Sequence, residues 1–256
     1  VTLLHAVILG IVEGVSEFLP ISSTAHLLLA SRFLELPSTE FLKSFHIAIQ
    51  LGAILSVVVL YWRTFIRSWE VLLRVLVAFL PTAVIGLLLH DFVKAYLYES
   101  VPVILWSLLL GGVFLIVFEK LHRERAGAGE HLEHLPWMHA VYIGLFQSIA
   151  IVPGVSRSAA TIIGGLLLGM KRRTIVDFSF LLAVPTMGAA VILDVAKSPE
   201  VFTVDTLPLL ATGFITSFFV ATLCIVGLLR FIKKHDFTGF GVYRIVAAVV
   251  CWFVLR

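Results

Sequence analysis

Apolar residues run through this chain in blocks about as long as a lipid bilayer is thick, and two of those blocks are interrupted. Six blocks are continuous: Phe45–Trp62, Val75–His90, Pro102–Phe118, Phe178–Leu193, Leu207–Leu229 and Gly239–Leu255. They approach or reach the ~20 apolar residues that cross a ~30 Å hydrocarbon core. Leu3–Ala30 and His139–Gly169 are apolar at both ends but carry Pro, Gly and polar residues in the middle. Each is long enough for two short helices and too short for two full spans. Lipid cannot satisfy the N–H and C=O groups that such a break frees, so protein or a wet cavity must cover it. Both blocks therefore read as re-entrant hairpins.

Composition supports an all-α polytopic membrane protein. The chain is 60% hydrophobic and 14% charged, against about 45–50% and 25% in soluble domains. The net charge of +3 is small, and the basic residues sit in short clusters between apolar blocks, which argues against nucleic-acid binding. Cys224 and Cys251 fall inside apolar blocks and read as small core residues. No cleavable signal peptide is visible before Glu13.

Lys and Arg orient the layout. Arg63, Arg67, Arg74, Lys120, Arg123, Arg125, Lys171, Arg172, Arg173, Arg230, Lys233 and Lys234 occupy one alternating set of loops. The other set holds only Arg32, Lys43, Lys94 and Lys197. The richer set belongs in the cytoplasm, so the first hairpin enters from outside and the second from inside.

The hairpins also resemble each other. At an offset of 134, Ser22-Ser23-Thr24-Ala25 falls on Ser156-Arg157-Ser158-Ala159, and Glu13 falls on Gln147. Each half is then one hairpin plus three spans, residues 1–118 and 139–256, with a cytoplasmic linker at 119–138. An odd number of spans inverts the second copy, giving an inverted-topology repeat. The linker carries Ala126-Gly-Ala-Gly129, His122, His131 and His134, with His139 just after it; their spacing fits no zinc pattern, so a solvated connector is expected.

Chemistry concentrates at the two breaks. Glu13 and Glu17, four apart, share a helix face and read either as a metal or general-base site or as a structural pair sharing a proton. Pro20 ends the first short helix. Ser22, Ser23 and Thr24 stand at the start of the next, where they either cap it or bind a ligand. His26, one turn beyond Ser23, is placed to reach the Ser23 hydroxyl or a phosphate beside it. In the second break Pro153-Gly154 leads into Ser156, Arg157 and Ser158, with Thr161 on the same side. Hydroxyls, a guanidinium and a helix N-terminus together suit an anion. Arg157 could equally pin the hairpins by pairing with Glu13 or Glu17. A pocket of this make-up suits a lipid-borne phosphate, and it requires the two hairpin tips to meet.

Glu13-Gly-Val-Ser-Glu-Phe-Leu-Pro-Ile-Ser-Ser-Thr-Ala-His26 and Pro153-Gly-Val-Ser-Arg-Ser-Ala-Ala-Thr161 resemble the signature stretches of the undecaprenyl-pyrophosphate phosphatases, the bacitracin-resistance family. Ala159 departs from the Gly more usual there. The resemblance implies removal of the terminal phosphate of undecaprenyl diphosphate, a polyprenyl diphosphate lipid, which recycles the carrier for peptidoglycan synthesis. It also implies dependence on a divalent cation, a bacterial inner-membrane location and a site reached from the periplasmic side. In that mechanism Arg157, Ser156, Ser158 and Thr161, with Ser22 and Thr24, hold the diphosphate, and Glu13 and Glu17 bind Mg²⁺ or Ca²⁺. Ser23 attacks, with His26 or Glu17 taking its proton; attack by water with Ser23 only binding phosphate is the other route. The rival class is a lipid-phosphate flippase, because inverted repeats with broken helices are also transporter architecture. Membrane lipids are the remaining expected partners, and a homodimer is compatible with this layout.

Overall fold

The computed structural model describes residues 1–97, 100–124, 132–197 and 203–254, apart from the side chains at 90, 91, 94, 95 and 197. The Gly-rich stretch 126–129, His131, Arg125 and Arg256, and the side chains of His90, Lys94 and Lys197, lie outside the described residues.

The described chain is helical. In order, it forms α1 (Leu3–Ser16), α2 (Ser23–Phe33), α3 (Glu40–Leu60), α4 (Trp62–Arg67), α5 (Trp69–Tyr96), α6 (Val101–Leu121), α7 (Trp137–Ser148), α8 (Arg157–Leu167), α9 (Arg172–Lys197), α10 (Leu207–Phe231) and α11 (Thr238–Val254). Five helices, α3, α5, α6, α9 and α10, are long and apolar enough to cross a membrane. The chain is thus a multi-pass membrane protein. α11, with 17 residues, lies at the lower limit of spanning length. Several helices start earlier than their apolar blocks: α3 at Glu40, α5 at Trp69, α9 at Arg172. Charged and aromatic residues at such ends keep helical backbone while their heads reach the interface.

Each interrupted block becomes two short helices around a turn, α1 and α2 in one, α7 and α8 in the other. The correspondence between them is detailed. α2 and α8 occupy positions 134 apart at both ends. The residue before each is a serine with positive φ, Ser22 at 74° and Ser156 at 63°. The residues closing them, Glu35 and Gly169, also match at that offset and also have positive φ. Both ends carry the same paired bonds: Glu35 N–H to Arg32 C=O and Leu36 N–H to Ser31 C=O, then Gly169 N–H to Leu166 C=O and Met170 N–H to Gly165 C=O. This is the cap that satisfies a helix's last carbonyls when one residue turns left-handed.

Packing follows the same pairing. α1 packs on α10 and α7 on α5, while α3 meets α9 and α6 meets α11. In α1, Gly10 and Gly14 let the backbones touch: a Cβ on Gly10 would sit 2.8 Å from Gly213 O, and one on Gly14 2.8 Å from Ser217 O. Gly144, the counterpart of Gly10, likewise lies against Ala78 O of α5. Without a hydrophobic drive between helices in lipid, such small-residue contacts supply the packing. Arg172 forms a fork with Glu119 at 2.5 and 3.0 Å, and Glu119 also accepts the N–H of Phe237, the residue just before α11, tying α6, α9 and the start of α11 together.

Candidate active site

The turns 17–22 and 149–156 face each other. Arg157, the first residue of α8, donates through Nη2 to Glu17 Oε1 at 2.7 Å. Glu17 is 5% exposed and Arg157 13%, so this pair is screened from solvent, and removing one partner would strand the other. The two hairpin tips therefore touch, which a shared pocket requires.

Ser22 and Ser156 explain how each turn presents its next residue. With φ of 74° and 63°, both sit where a non-glycine residue costs about 1–3 kcal/mol. Serine persists at both although glycine would relax them. Ser156 uses its hydroxyl to cap α8, accepting from Ala159 N–H at 3.2 Å. Ser22 caps nothing with its side chain; its carbonyl instead accepts from His26 Nδ1 at 2.7 Å.

The next residue in each half carries the polar load. Ser23 donates its hydroxyl to Glu17 Oε2. Glu17 thus holds Ser23 with one oxygen and Arg157 with the other. Arg157 is further placed by Ser179 C=O, which accepts from Nη1 at 2.8 Å, and by the Phe18 ring, 5.9 Å away. Its Nε–H is buried and has no partner. Glu13 stands beside Glu17, fully buried, and apart from that neighbouring carboxylate its oxygens have no hydrogen-bond partner.

Between the turns lies a cavity of about 210 Å³, lined among others by Glu17, Ser22, Ser23, Thr24, Ser156 and Arg157. Four of the expected residues stand outside that lining. Ser158 donates to Leu19 C=O at 2.9 Å, joining the second turn to the first. Thr161 is wholly buried, donates to backbone carbonyls of its own helix and meets Ser179 Oγ at 2.6 Å. Glu13 lies behind Glu17. His26 faces away from Ser23: its Nε2 meets the Tyr243 hydroxyl at 2.8 Å and its ring stacks on that of Tyr243.

The opposite wall was not read as a site from the sequence. There Gln147 Nε2 donates to Thr82 Oγ1 at 2.9 Å and Thr186 Oγ1 at 3.2 Å. Those hydroxyls have spent their protons on Gly144 C=O and Leu182 C=O, which turns the Gln147 amide so that Oε1 is left without a partner. Thr82 and Thr186 each follow a proline inside a long helix, Pro81 in α5 and Pro185 in α9. A Pro-Thr step in the middle of an apolar span was the available signal, since proline frees a backbone carbonyl there.

Similarity to known proteins can be set beside this geometry. A family model described as bacitracin resistance protein BacA matches residues 6–250. An undecaprenyl-diphosphatase of Aquifex aeolicus is 48% identical over 246 residues, covering 96% of each chain. One from Bdellovibrio bacteriovorus is 45% identical, over 98% of this chain and 95% of its own. One from Wolinella succinogenes is 41% identical, over 98% and 97%.

Proposed function

This chain belongs to the BacA family of bacitracin resistance proteins, and from that premise we propose that it is an undecaprenyl-diphosphatase. It would release the terminal phosphate of undecaprenyl diphosphate and return the monophosphate carrier to peptidoglycan synthesis. The observation that carries the reading is Glu17 joining the Ser23 hydroxyl and the Arg157 guanidinium on its two oxygens. A nucleophile, its base and an anion holder are thereby in one place.

The chain's own groups divide the work. Arg157 leaves Glu17 for the incoming diphosphate, adding its free Nε–H, while Ser156, Ser22 and Thr24 offer hydroxyls to the remaining oxygens. Ser23 Oγ bonds to the terminal phosphorus as Glu17 takes its proton. The bond from that phosphorus to the bridging oxygen breaks, and its electron pair leaves with the polyprenyl monophosphate, which takes up the proton. Water then attacks the phosphoserine and gives a proton to Glu17; the phosphorus–Oγ bond breaks, Oγ is reprotonated and phosphate departs. Glu17 is the better base of the two candidates because His26 is committed to Ser22 and Tyr243. Ser158 and Thr161 support this arrangement by holding the second turn and α8.

Mg²⁺ or Ca²⁺ would fit Glu13 and Glu17, since the two unpartnered buried oxygens of Glu13 adjoin a second carboxylate, and such a pair needs a cation or a shared proton. When bound, it would neutralise phosphate charge as the bond breaks. Among the described residues no third acidic, His or Cys side chain joins them, so phosphate and water would complete the shell.

Topology belongs to the same proposal. Residues 1–118 and 139–256 form inverted copies joined by a cytoplasmic linker at 119–138, each a re-entrant hairpin plus three spans. The matched positive φ of Ser22 and Ser156, the matched caps at Glu35 and Gly169, and the exchange of α1 onto α10 and α7 onto α5 support it. The protein would lie in the bacterial inner membrane with its pocket reached from the periplasmic side.

The test is phosphate release from undecaprenyl diphosphate by purified protein, with Mg²⁺ and with excess EDTA. Release abolished by EDTA supports both enzyme and metal. Release that survives EDTA keeps the enzyme and removes the metal role from Glu13 and Glu17. No release from folded, substrate-binding protein would replace the hydrolase with a lipid-phosphate flippase.

A further inference from the structure

Arg244 of α11 is 1% exposed, and among the described residues no carboxylate pairs with it. Its guanidinium is spent on backbone carbonyls instead. Nη1 donates to Pro20 C=O at 3.3 Å, and Nη2 to Gly154 C=O and Ser107 C=O, both at 2.9 Å; Nε donates to Leu108 C=O at 3.4 Å. Pro20 lies two residues before Ser22, and Gly154 two residues before Ser156. One side chain therefore grips both turns at the same step of the chain, just ahead of the strained serines, and fastens them to α6.

The surroundings are built around this grip. Gly154, at φ 95°, lies so close to α6 that a Cβ would sit 2.7 Å from Ser107 Cβ. Gly112 and Gly241 let α11 lie directly on α6, where a Cβ on either would come 2.7–2.8 Å from the other's carbonyl. Gly111 leaves the space that the Arg244 guanidinium fills. The 134-residue offset pairs Arg244 with Leu110, so the grip is not duplicated. One arginine where the halves meet serves both.

We infer that Arg244 is a positioning residue for the phosphatase reaction, holding the Ser23–Glu17 turn and the Ser156–Arg157 turn in register through Pro20 and Gly154. A buried Arg needs its donors satisfied. A planar fork with several N–H groups can bridge separate carbonyls, which the compact lysine ammonium cannot do. Substrate contact stays with Arg157 and the hydroxyls, so Arg244 acts on alignment. Misplacement of reacting groups by about 1 Å can cost roughly 10²-fold in rate.

This inference rests on the phosphatase reading, and its test separates the two. Arg244→Lys keeps the charge and loses the bridge. Gly111→Ala keeps Arg244 but puts a methyl where Nη2 lies; because the obstructed atom ends a flexible side chain, the guanidinium yields rather than the helix. Phosphate release per folded enzyme should fall about 10–100-fold in kcat for both, with KM changed less than about threefold. Hydrogen exchange should quicken in both turns, 17–22 and 149–156. A purely structural arginine would lower thermal stability and leave kcat per folded molecule and KM alone. Folded Gly111→Ala protein with wild-type kcat and unchanged exchange in the turns overturns the inference, and that variant decides if Arg244→Lys does not fold. Wild-type protein that releases no phosphate would sink the functional reading, and the exchange measurement would still judge the grip.

Discussion

The two turns share a backbone and differ in chemistry. Ser22 and Ser156 adopt the same left-handed conformation, and the helices they introduce end in the same cap. Yet the following residue is Ser23 in one and Arg157 in the other. Glu13 and Glu17 in the first half correspond to Gln147 and Ile151 in the second, and His26 corresponds to Ala160. On the proposed reading, the first turn is the reactive side and the second the anion-holding side. The lesson is that two turns of matched backbone can carry different side chains, so that a pocket between them holds a set of groups found in neither turn alone.

Changes that break this division should rank by how directly they touch the reacting atoms. Ser23→Ala removes the proposed nucleophile and should lower phosphate release roughly 10³-fold or more. Labelled phosphate trapped on the wild-type chain and absent from the variant would confirm its role, whereas near-normal turnover by Ser23→Ala would end it. Arg157→Lys should cost about 10²–10³-fold in kcat, because a point charge replaces a planar fork that now meets Glu17, Ser179 and the Phe18 ring. Activity retained in that variant would count against phosphate contact.

Glu13→Gln makes the first half resemble the second at that position. The expected result is loss of most of the response to added Mg²⁺ in the phosphate-release assay, with the Arg157–Glu17 pair intact; an unchanged metal titration would remove Glu13 from the metal site. The reverse exchange, Gln147→Glu, should be the mildest in rate and appear mainly in stability. A carboxylate cannot donate to Thr82 and Thr186, whose protons already go to Gly144 and Leu182. The cost is about 1–3 kcal/mol, read as a lowered thermal midpoint of the purified protein.

Much of this comparison was legible beforehand because it depends on spacing. Interrupted apolar blocks expose backbone that lipid cannot satisfy, so their polar residues had to meet something. The offset that set Ser22 on Ser156 also predicted where the breaks would correspond. Block boundaries were less legible: α3, α5 and α9 extend past their apolar runs because end residues such as Glu40, Trp69 and Arg172 remain helical at the interface.

The direction of individual side chains was not legible. His26 has the right spacing to reach Ser23, but Tyr243 of α11 and the Ser22 carbonyl hold it elsewhere. Ser158 and Thr161 fall on the expected side of α8, yet their hydroxyls go to Leu19 and Ser179 instead of the cavity. Arg244 showed nothing beyond being a charge in an apolar block.

Sequence alone determined that the chain is a helical membrane protein with two polar breaks, because hydropathy and chain length are local properties that a bilayer tests directly. It also determined the stock of reactive groups. Only the tertiary structure decided which of them share the cavity, that Glu17 serves Ser23 and Arg157 together, and that Arg244 grips both turns. Those outcomes depend on α8 and α11 reaching the two turns across separations of 90 to 224 residues, and spacing within one helix carries no information about such contacts.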